Sequence, residues 1–383
     1  MEAPHGSGDL RPLSLAVVGY GYWGPNIVRN VIERPELEFW GLCELSEERV
    51  GKFAARYPGL RTCASFDEVI ADPGVDAVSI ATPPATHFEL AERALRAGKH
   101  VLVEKPLATR AADAASLVGL AESLGLVLMP GHTFLYSPAV NKVRTLIESD
   151  ELGEVYFITS SRMNLGIYQP EGVVNDLAPH DISILLHWLK RPVSMVSASG
   201  STVFQDGVPE TAFLTLAFED GPTANVQLSW LAPHKVRQTI VVGSKRMVVY
   251  DDTATDGAIR IYDRGVDFTE PSTFGEYQLT YRSGDMLVPR LNAAEPLGLE
   301  LEDFARAIRT GVPPCSHAEL GLEVVRVLEA AHSSLAASAR PVAPHARARA
   351  GNGHAAAVPA GAAVAVAGAR DFTAVQARPN GDR

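Results

Sequence analysis

The chain has 383 residues, 46% hydrophobic and 21% charged, which suggests two domains with ample buried core. Its formal net charge of −11 disfavours nucleic acid or an acidic membrane surface as a partner and leaves a small metabolite or cofactor. Three cysteines, Cys43, Cys63 and Cys315, show no zinc spacing and no even count for a disulfide framework, so they read as small buried hydrophobes and no metal is expected.

The first residues, MEAPHGSGDLRPL, lack an apolar signal core, and no run approaches the ~18 apolar residues that span a bilayer. The expected setting is cytoplasmic. From Leu13 to about Gly131, short apolar runs alternate with amphipathic helical stretches. The runs are LSLAVVG (13–19), LEFWGLC (37–43), VDAVSIA (75–81), HVLVE (100–104) and LVLMP (126–130). Near-continuous apolar runs suit strands buried on both faces. Ser65 with Glu68, and Thr86 with Glu89, have capping-box spacing at helix starts. The alternation predicts a parallel, doubly wound α/β sheet over residues 13–131, after a flexible N-terminus at 1–12.

Residues 132–340 read as an α+β domain with an open, mostly antiparallel sheet. Ser137–Ser149 and Asp176–Leu189 predict helices. TANVQLSW (223–230) alternates Ala224, Val226, Leu228 and Trp230 against Thr223, Asn225, Gln227 and Ser229, the mark of a half-buried antiparallel strand. TAFLTLAF, TIVVG and RMVVYDD continue the sheet, with GSK as a hairpin turn. LGLELEDFARAIRTG and HAELGLEVVRVLEAAHSS return to helical periodicity. From 341 to 383 the chain turns Ala/Pro/Gly-rich and is expected to be a disordered tail.

The stretch VVGYGYWGPN places Gly19, Gly21 and Gly24 as G-x-G-x-x-G between a strand and a helix, with Pro25 suited to the first turn. Glu44 follows 20 residues after Gly24, at the end of the next strand. That is a dinucleotide fingerprint: Gly19 for the turn, Gly21 for approach of the pyrophosphate, Gly24 for close packing, and Glu44 for the ribose hydroxyls. The helix N-terminus supplies free N–H groups to the phosphates. Glu44 repels a 2′-phosphate and favours NAD over NADP, while neighbouring Arg49 tempers that preference. Tyr22 and Trp23 either pack on the strand ends or shield the cofactor.

Further candidates lie at carboxyl ends of strands, where doubly wound sheets bind ligands. Thr82, Pro83 and His87 follow VDAVSIA, and Glu104 and Lys105 end HVLVE. Beside a nicotinamide, Lys105 polarises a hydroxyl or carbonyl; on its own it is a solvated strand end. Asp176 and His180 form D-x-x-x-H, with Pro179 marking a helix start. The pair suits acid–base chemistry near neutrality, or else is a cap with a surface histidine. His132 and Tyr136 follow LVLMPG, and these two with Asn175 are expected to contact substrate. His187 reads as packing, and His100, His234, His317 and His332 carry no motif.

Taken in order, GYGYWG, ATPPATH (81–87), EKPLA (104–108), GHTFLYSP (131–138) and NDLAPHD (175–181) resemble the Gfo/Idh/MocA oxidoreductase family over residues 13–340. The resemblance implies an NAD(P)-binding Rossmann domain and a second α/β domain whose open sheet mediates a homodimer or homotetramer. It implies reversible oxidation of a sugar or cyclitol hydroxyl, with Lys105 as the EKP lysine, His180 as the catalytic histidine and Asp176 as its paired aspartate. Several stretches are similar to members that act on nucleotide-linked sugars. Val173, Val174 and Asn175 replace the family's glycine-rich approach to the aspartate, a departure that bears on substrate shape. Cyclitol oxidation, hydride-returning glycoside hydrolysis and a non-catalytic NAD-binding regulator are the competing readings.

Overall fold

The structure, a computed structural model, describes residues 11–166, 168–169, 171–204, 207–269 and 278–345. All lie in one unit, Met1–Ala346. Residues 1–10 of the expected flexible N-terminus, and 346–383 of the expected tail, lie outside the described residues.

Strands β1 (Leu13–Val18), β2 (Leu37–Cys43), β3 (Thr62–Cys63), β4 (Ala77–Ile80), β5 (His100–Glu104) and β6 (Leu128–Gly131) form a parallel sheet in the order β3-β2-β1-β4-β5-β6. The order reverses between β1 and β4, so the strand ends there open a crevice. Helices α1 (Gly24–Glu33), α2 (Glu47–Arg56), α3 (Phe66–Ala71), α4 (His87–Arg96) and α5 (Ala111–Leu124) connect the strands. Ser65 and Thr86 sit at the helix starts as expected, but neither makes a side-chain cap bond. Thr86 instead donates to the Pro83 carbonyl at 2.8 Å. Two-residue β3 is too short to show a periodicity in the sequence. Cys43 and Cys63 are register partners across β2 and β3 and remain reduced.

Beyond a 3-10 turn at Thr133–Tyr136 come α6 (Pro138–Glu148), β7 (Val155–Leu165), α7 (Gly172–Leu189) and strands β8 (Val193–Ser201), β9 (Thr211–Phe218), β10 (Thr223–Ser229), β11 (Leu231–Gly243), β12 (Met247–Asp251), β13 (Ile259–Thr269) and β14 (Gln278–Leu287). The second sheet runs β14-β13-β12-β11-β7-β10-β9-β8 and is mostly antiparallel. The GSK turn joins β11 to β12 as expected. Strand β10 is antiparallel to β9 but parallel to β7, a pairing its alternation does not encode. Its inner face is as read: Ala224, Val226, Leu228 and Trp230 are all 0% exposed. Helix α8 (Pro296–Thr310) packs on α1, and α9 (Ala318–Ala336) packs on α5, α7 and β8. A Cβ on Gly321 would stand 2.7 Å from the Pro130 ring, so glycine lets α9 lie against β6.

Two boundaries differ from expectation. Helix α7 starts at Gly172, not at Asp176, which leaves Pro179 inside the helix. Packing overrides the proline: Ala178 and Pro179 are buried, as are all residues from Asp181 to Trp188. The chain after 340 also docks before the described residues end. Val342 bridges Val196 of β8, and His345 Nε2 meets Glu323 at 3.1 Å.

Helix α7 is fixed to the sheet by a buried ion pair. Arg162 of β7 donates from Nε to Asp181 Oδ2 at 2.6 Å, and Ser160 donates to Oδ1 at 2.7 Å. The two charged side chains are 5% and 3% exposed. Removing one partner strands the other charge in the interior. The Asp181→Ala variant should therefore lose about 3–5 kcal/mol of stability in urea unfolding; a loss under ~1 kcal/mol would show that the pair is not an anchor.

Candidate active site

The glycine loop follows from steric limits. Gly19 has φ +96°, and a Cβ there would lie 2.6 Å from the Ala81 carbonyl oxygen at the end of β4. A Cβ on Gly24 would lie 2.4 Å from the Gly19 oxygen. Gly21 meets nothing within 4 Å, so its backbone faces open space. Two glycines thus serve packing and the third leaves room for a ligand, which fits a pyrophosphate beside the α1 N-terminus. Pro25 stands one position inside α1, as the sequence suggests.

Glu44 closes this loop. Its Oε2 accepts from Tyr20 N at 2.7 Å, and its Oε1 from Leu45 N and Ser46 N, both at 2.9 Å. Burial raises its pKa, but the N–H groups of Ser46, Tyr20 and Leu45 and the Arg49 guanidinium outweigh that and hold it below the usual carboxylate range. Arg49 Nη1 stands 3.6 Å from Glu44 Oε2. Glu44 therefore ties the cradle to β2 besides presenting a carboxylate edge. Trp23 is half-buried at the N-cap of α1, and Tyr22 is 84% exposed and stacks edge-on against it.

Two neighbouring strand ends are braced by His87, which is 1% exposed rather than facing the crevice. Its Nδ1 lies 2.8 Å from the Pro106 carbonyl and its Nε2 2.9 Å from the Thr82 carbonyl. Burial lowers its pKa, and the neutral ring has a single N–H, so it donates to one of the two carbonyls at a time. His87 acts as a strut between the Thr82-Pro83 and Lys105-Pro106 loops, in place of the cofactor contact expected of it. Thr82 meets Thr86 hydroxyl to hydroxyl at 2.7 Å.

Lys105 leaves β5 and reaches α7. Its Nζ donates to the Asp176 carbonyl at 2.9 Å and stands 3.7 Å from Asp176 Oδ1. Pro179 has no N–H to offer the Asn175 carbonyl, and Lys105 docks on the next carbonyl, that of Asp176. Trp230 Nε1 donates to the other carboxylate oxygen of Asp176 at 3.0 Å. The ammonium is 14% exposed and the carboxylate 29%, so both are open to a ligand yet partly shielded. His180 lies one turn further along α7, its ring edge-on to Phe134 at 5.0 Å between centroids. Burial, then Lys105, Arg162, His132 and Arg237, push its pKa well below the ordinary value. It is a neutral imidazole at neutral pH, and its Nδ1 is buried without a partner among the described residues.

The structure thus gathers Lys105, Asp176 and His180 at one edge of the parallel sheet. It does not bring all the expected substrate contacts there. Tyr136 is 7% exposed, and its hydroxyl donates to Asp303 at 2.9 Å and accepts from Ser316 N at 3.1 Å. Asn175 spends its amide on the Glu171 carbonyl and on His332 Nε2, at 3.0 and 2.9 Å. His132 is 1% exposed, and burial and Lys105 hold its pKa down at about 3. Tyr136 and Asn175 are thus tied into the framework, and His132 is buried without such ties. Sequence reasoning passed over Trp230, Phe134 and Arg162 as site residues; only the long-range pairing reveals them. A cavity of about 540 Å³ lies elsewhere, between Arg144, His187, Lys190 and Cys315. Among the described residues, no group of three His, Cys, Asp or Glu is placed to hold a metal, and no helix is long and apolar enough to cross a membrane.

Comparison with known proteins agrees with the fold. The family model "Oxidoreductase family, NAD-binding Rossmann fold" matches residues 13–132, and the "GFO/IDH/MocA C-terminal domain" matches residues 140–249. The UDP-N-acetylglucosamine 3-dehydrogenase of Acidithiobacillus ferrooxidans is 30% identical over 302 residues, covering 78% of this chain and 89% of that protein. The dTDP-3,4-didehydro-2,6-dideoxy-alpha-D-glucose 3-reductase of Saccharopolyspora spinosa is 28% identical over 323 residues, covering 79% and 89%. Among solved structures, GenD2 from gentamicin A biosynthesis, in complex with NAD, is 26% identical with a TM-score of 0.73, covering 90% of this chain and 99% of its own. The chain belongs to the Gfo/Idh/MocA family of oxidoreductases.

Proposed function

We propose that the protein is an NAD-dependent dehydrogenase, or in reverse a ketoreductase, of a secondary hydroxyl on a nucleotide-linked sugar. The observation that carries this reading is the Lys105 ammonium, 3.7 Å from the Asp176 carboxylate with His180 one turn along the same helix, beside a glycine cradle. The relatives that act on UDP- and dTDP-linked sugars support the substrate class. A bound nicotinamide supplies the hydride acceptor. Neutral His180 takes the proton of the sugar hydroxyl. Lys105 holds the oxygen and stabilises the negative charge that develops on it. Asp176, itself held by Trp230, keeps Lys105 in place. Glu44 favours the diol of NAD at the adenosine ribose over a 2′-phosphate. The second sheet leaves Phe157, Tyr281, Met286 and Leu287 exposed, which supports pairing of copies through that face. Retention of Lys105, Asp176 and His180 together favours an enzyme over a binding-only regulator.

Four outcomes test this reading. Lys105→Ala should cut kcat by roughly 10²–10⁴-fold while NAD binding in calorimetry persists; normal turnover would remove Lys105 from the reaction. A base whose pKa is depressed stays neutral to lower pH. The acid limb of kcat/KM should accordingly fall below the ordinary imidazole value of about 6.5, and a limb above it would argue against His180 as the base. Calorimetric titration should show tighter binding of NAD than of NADP, and the opposite order would assign Arg49 the deciding role over Glu44. A panel of nucleotide sugars read at the NADH absorbance separates net oxidation from hydrolysis without net NADH, and both from binding without turnover.

A further inference from the structure

Burial decides which nitrogen His180 can offer a substrate, but no hydrogen bond decides where that nitrogen points. The side chain is half-buried, and its Nδ1 is buried without a partner among the described residues. A sugar hydroxyl can therefore reach only Nε2. A catalytic imidazole is commonly aimed by a hydrogen bond to its second nitrogen, and no described residue supplies that bond here. The contact that remains is aromatic: the Phe134 ring stands 5.0 Å from the His180 ring and at 69° to it.

Phe134 is itself held from two sides. It lies in the 3-10 turn Thr133–Tyr136, whose neighbours pin it to two helices. On α8, Glu300 accepts from the Thr133 hydroxyl at 2.8 Å and Asp303 from the Tyr136 hydroxyl at 2.9 Å. On α6, Asn141 donates to the Leu135 carbonyl at 2.8 Å. Two guanidiniums stand over the ring, with Arg162 Cζ 4.6 Å and Arg237 Cζ 5.5 Å from its centroid. These arginines are register partners on β7 and β11. Like charges directly opposite each other destabilise a strand pair, so the arrangement needs compensation. Asp181 accepts from Arg162 at 2.6 Å and Asp252 from Arg237 at 3.0 Å. Arg162 Nη1 is still buried without a hydrogen bond, and the electron-rich face of Phe134 is the group that both arginines share.

We propose that Phe134, gripped by Arg162 and Arg237, is the positioning residue that aims Nε2 of His180 at the sugar hydroxyl. The inference rests on the dehydrogenase reading above. In the oxidising direction, the hydroxyl proton goes to Nε2 as the carbinol carbon gives its hydride to the nicotinamide, and the O–H electron pair becomes the second C–O bond. Nε2 must then hold a free lone pair, so the ring hydrogen sits on Nδ1. The charges around His180 suit a neutral ring. Lys105 faces it from the end of β5, Arg162 from β7 and Arg237 from β11, beside neutral His132. On α7 itself, Asp176 is engaged by Lys105 and Trp230, and Asp181 by Arg162. Burial and those cations oppose a second ring proton. Arg162 thus serves twice: it anchors α7 through Asp181, and it seats the ring against which His180 rests.

The test compares wild type with Phe134→Leu, Phe134→Tyr and Arg237→Met. Isotope labelling of the histidine nitrogens in the unliganded full chain reads the tautomer and the titration of His180 by nuclear magnetic resonance, its signals assigned by their loss in His180→Gln. In wild type, Nδ1 should carry the hydrogen and the midpoint should fall below the ordinary value of about 6.5; the other tautomer, or a midpoint at or above that value, overturns the inference. F134L should mix the tautomers and raise the midpoint, and F134Y should restore both. R237M should raise the midpoint by a smaller step, and an unmoved midpoint there overturns the grip. With a sugar that wild type oxidises, F134L should lose about 10–10²-fold in kcat at unchanged KM and NAD affinity, and F134Y should recover the rate. A loss that leaves tautomer and midpoint unmoved, or that F134Y does not recover, marks a structural role and overturns the aiming of His180. If wild type oxidises no sugar in the panel, the dehydrogenase reading falls, and the resonance measurement alone decides whether Phe134 holds the imidazole. Should F134L fail to fold, Phe134→Met takes its place under the same criteria.

Discussion

A lysine ammonium at the end of a buried strand is the constraint around which this molecule is arranged. Lys105 follows a strand whose residues Val101 and Val103 are 0% exposed, so its charge needs a partner within reach. That partner is on α7, which belongs to the other sheet's half of the chain. The contact works only if α7 is fixed in depth and rotation. Arg162 and Asp181 fix its depth, Trp230 sets the Asp176 carboxylate, and the interior proline loosens the ladder where Lys105 docks. The ion pair is thus less a source of stability than a joint between the two sheets, since its 3.7 Å separation and partial exposure make it modest in energy.

The cofactor cradle follows a second rule: its loops are tied to one another before any ligand arrives. Glu44 takes three backbone N–H groups, one of them from the glycine loop. His87 spans the carbonyls of two neighbouring strand-end loops. Loops braced in this way lose little freedom when a dinucleotide binds, which is the economy of preorganisation. Glu44 therefore has two tasks: anchoring the loop uses its inner face, and only its remaining lone pairs are free for a ribose.

Local patterns in the sequence carry most of this architecture, and the exceptions share one cause. The parallel strands, the glycine loop and the helices around α6, α8 and α9 declare themselves through periodicity and turn chemistry, because each depends on residues close in sequence. Strand β7 does not, although it sits in the middle of the second sheet: its inner positions Ser160 and Arg162 are polar and break the alternation. Those residues are polar because they hold Asp181, a partner 19 residues away from Arg162. The same reason explains why Tyr136 and Asn175 read as ligand contacts. Their motif positions are visible, but the partners that occupy them, Asp303 and His332, come from remote helices.

The contrast between polar groups that are tied and polar groups that are open separates scaffold from chemistry. A buried polar atom without a hydrogen bond costs about 1–3 kcal/mol, so folds seldom keep one without use. Apart from Glu323 Oε2, which His345 meets, seven such side-chain atoms occur among the described residues, and four belong to His132, His180 and Glu300. Arg162, Asp181, Ser160 and Thr239, equally buried, form a network that leaves only Arg162 Nη1 open. Three of the seven lie on His132 and His180, whose pKa values burial and the Lys105 charge hold down, so open hydrogen-bonding capacity gathers near Lys105 while the anchor of α7 is almost fully spent.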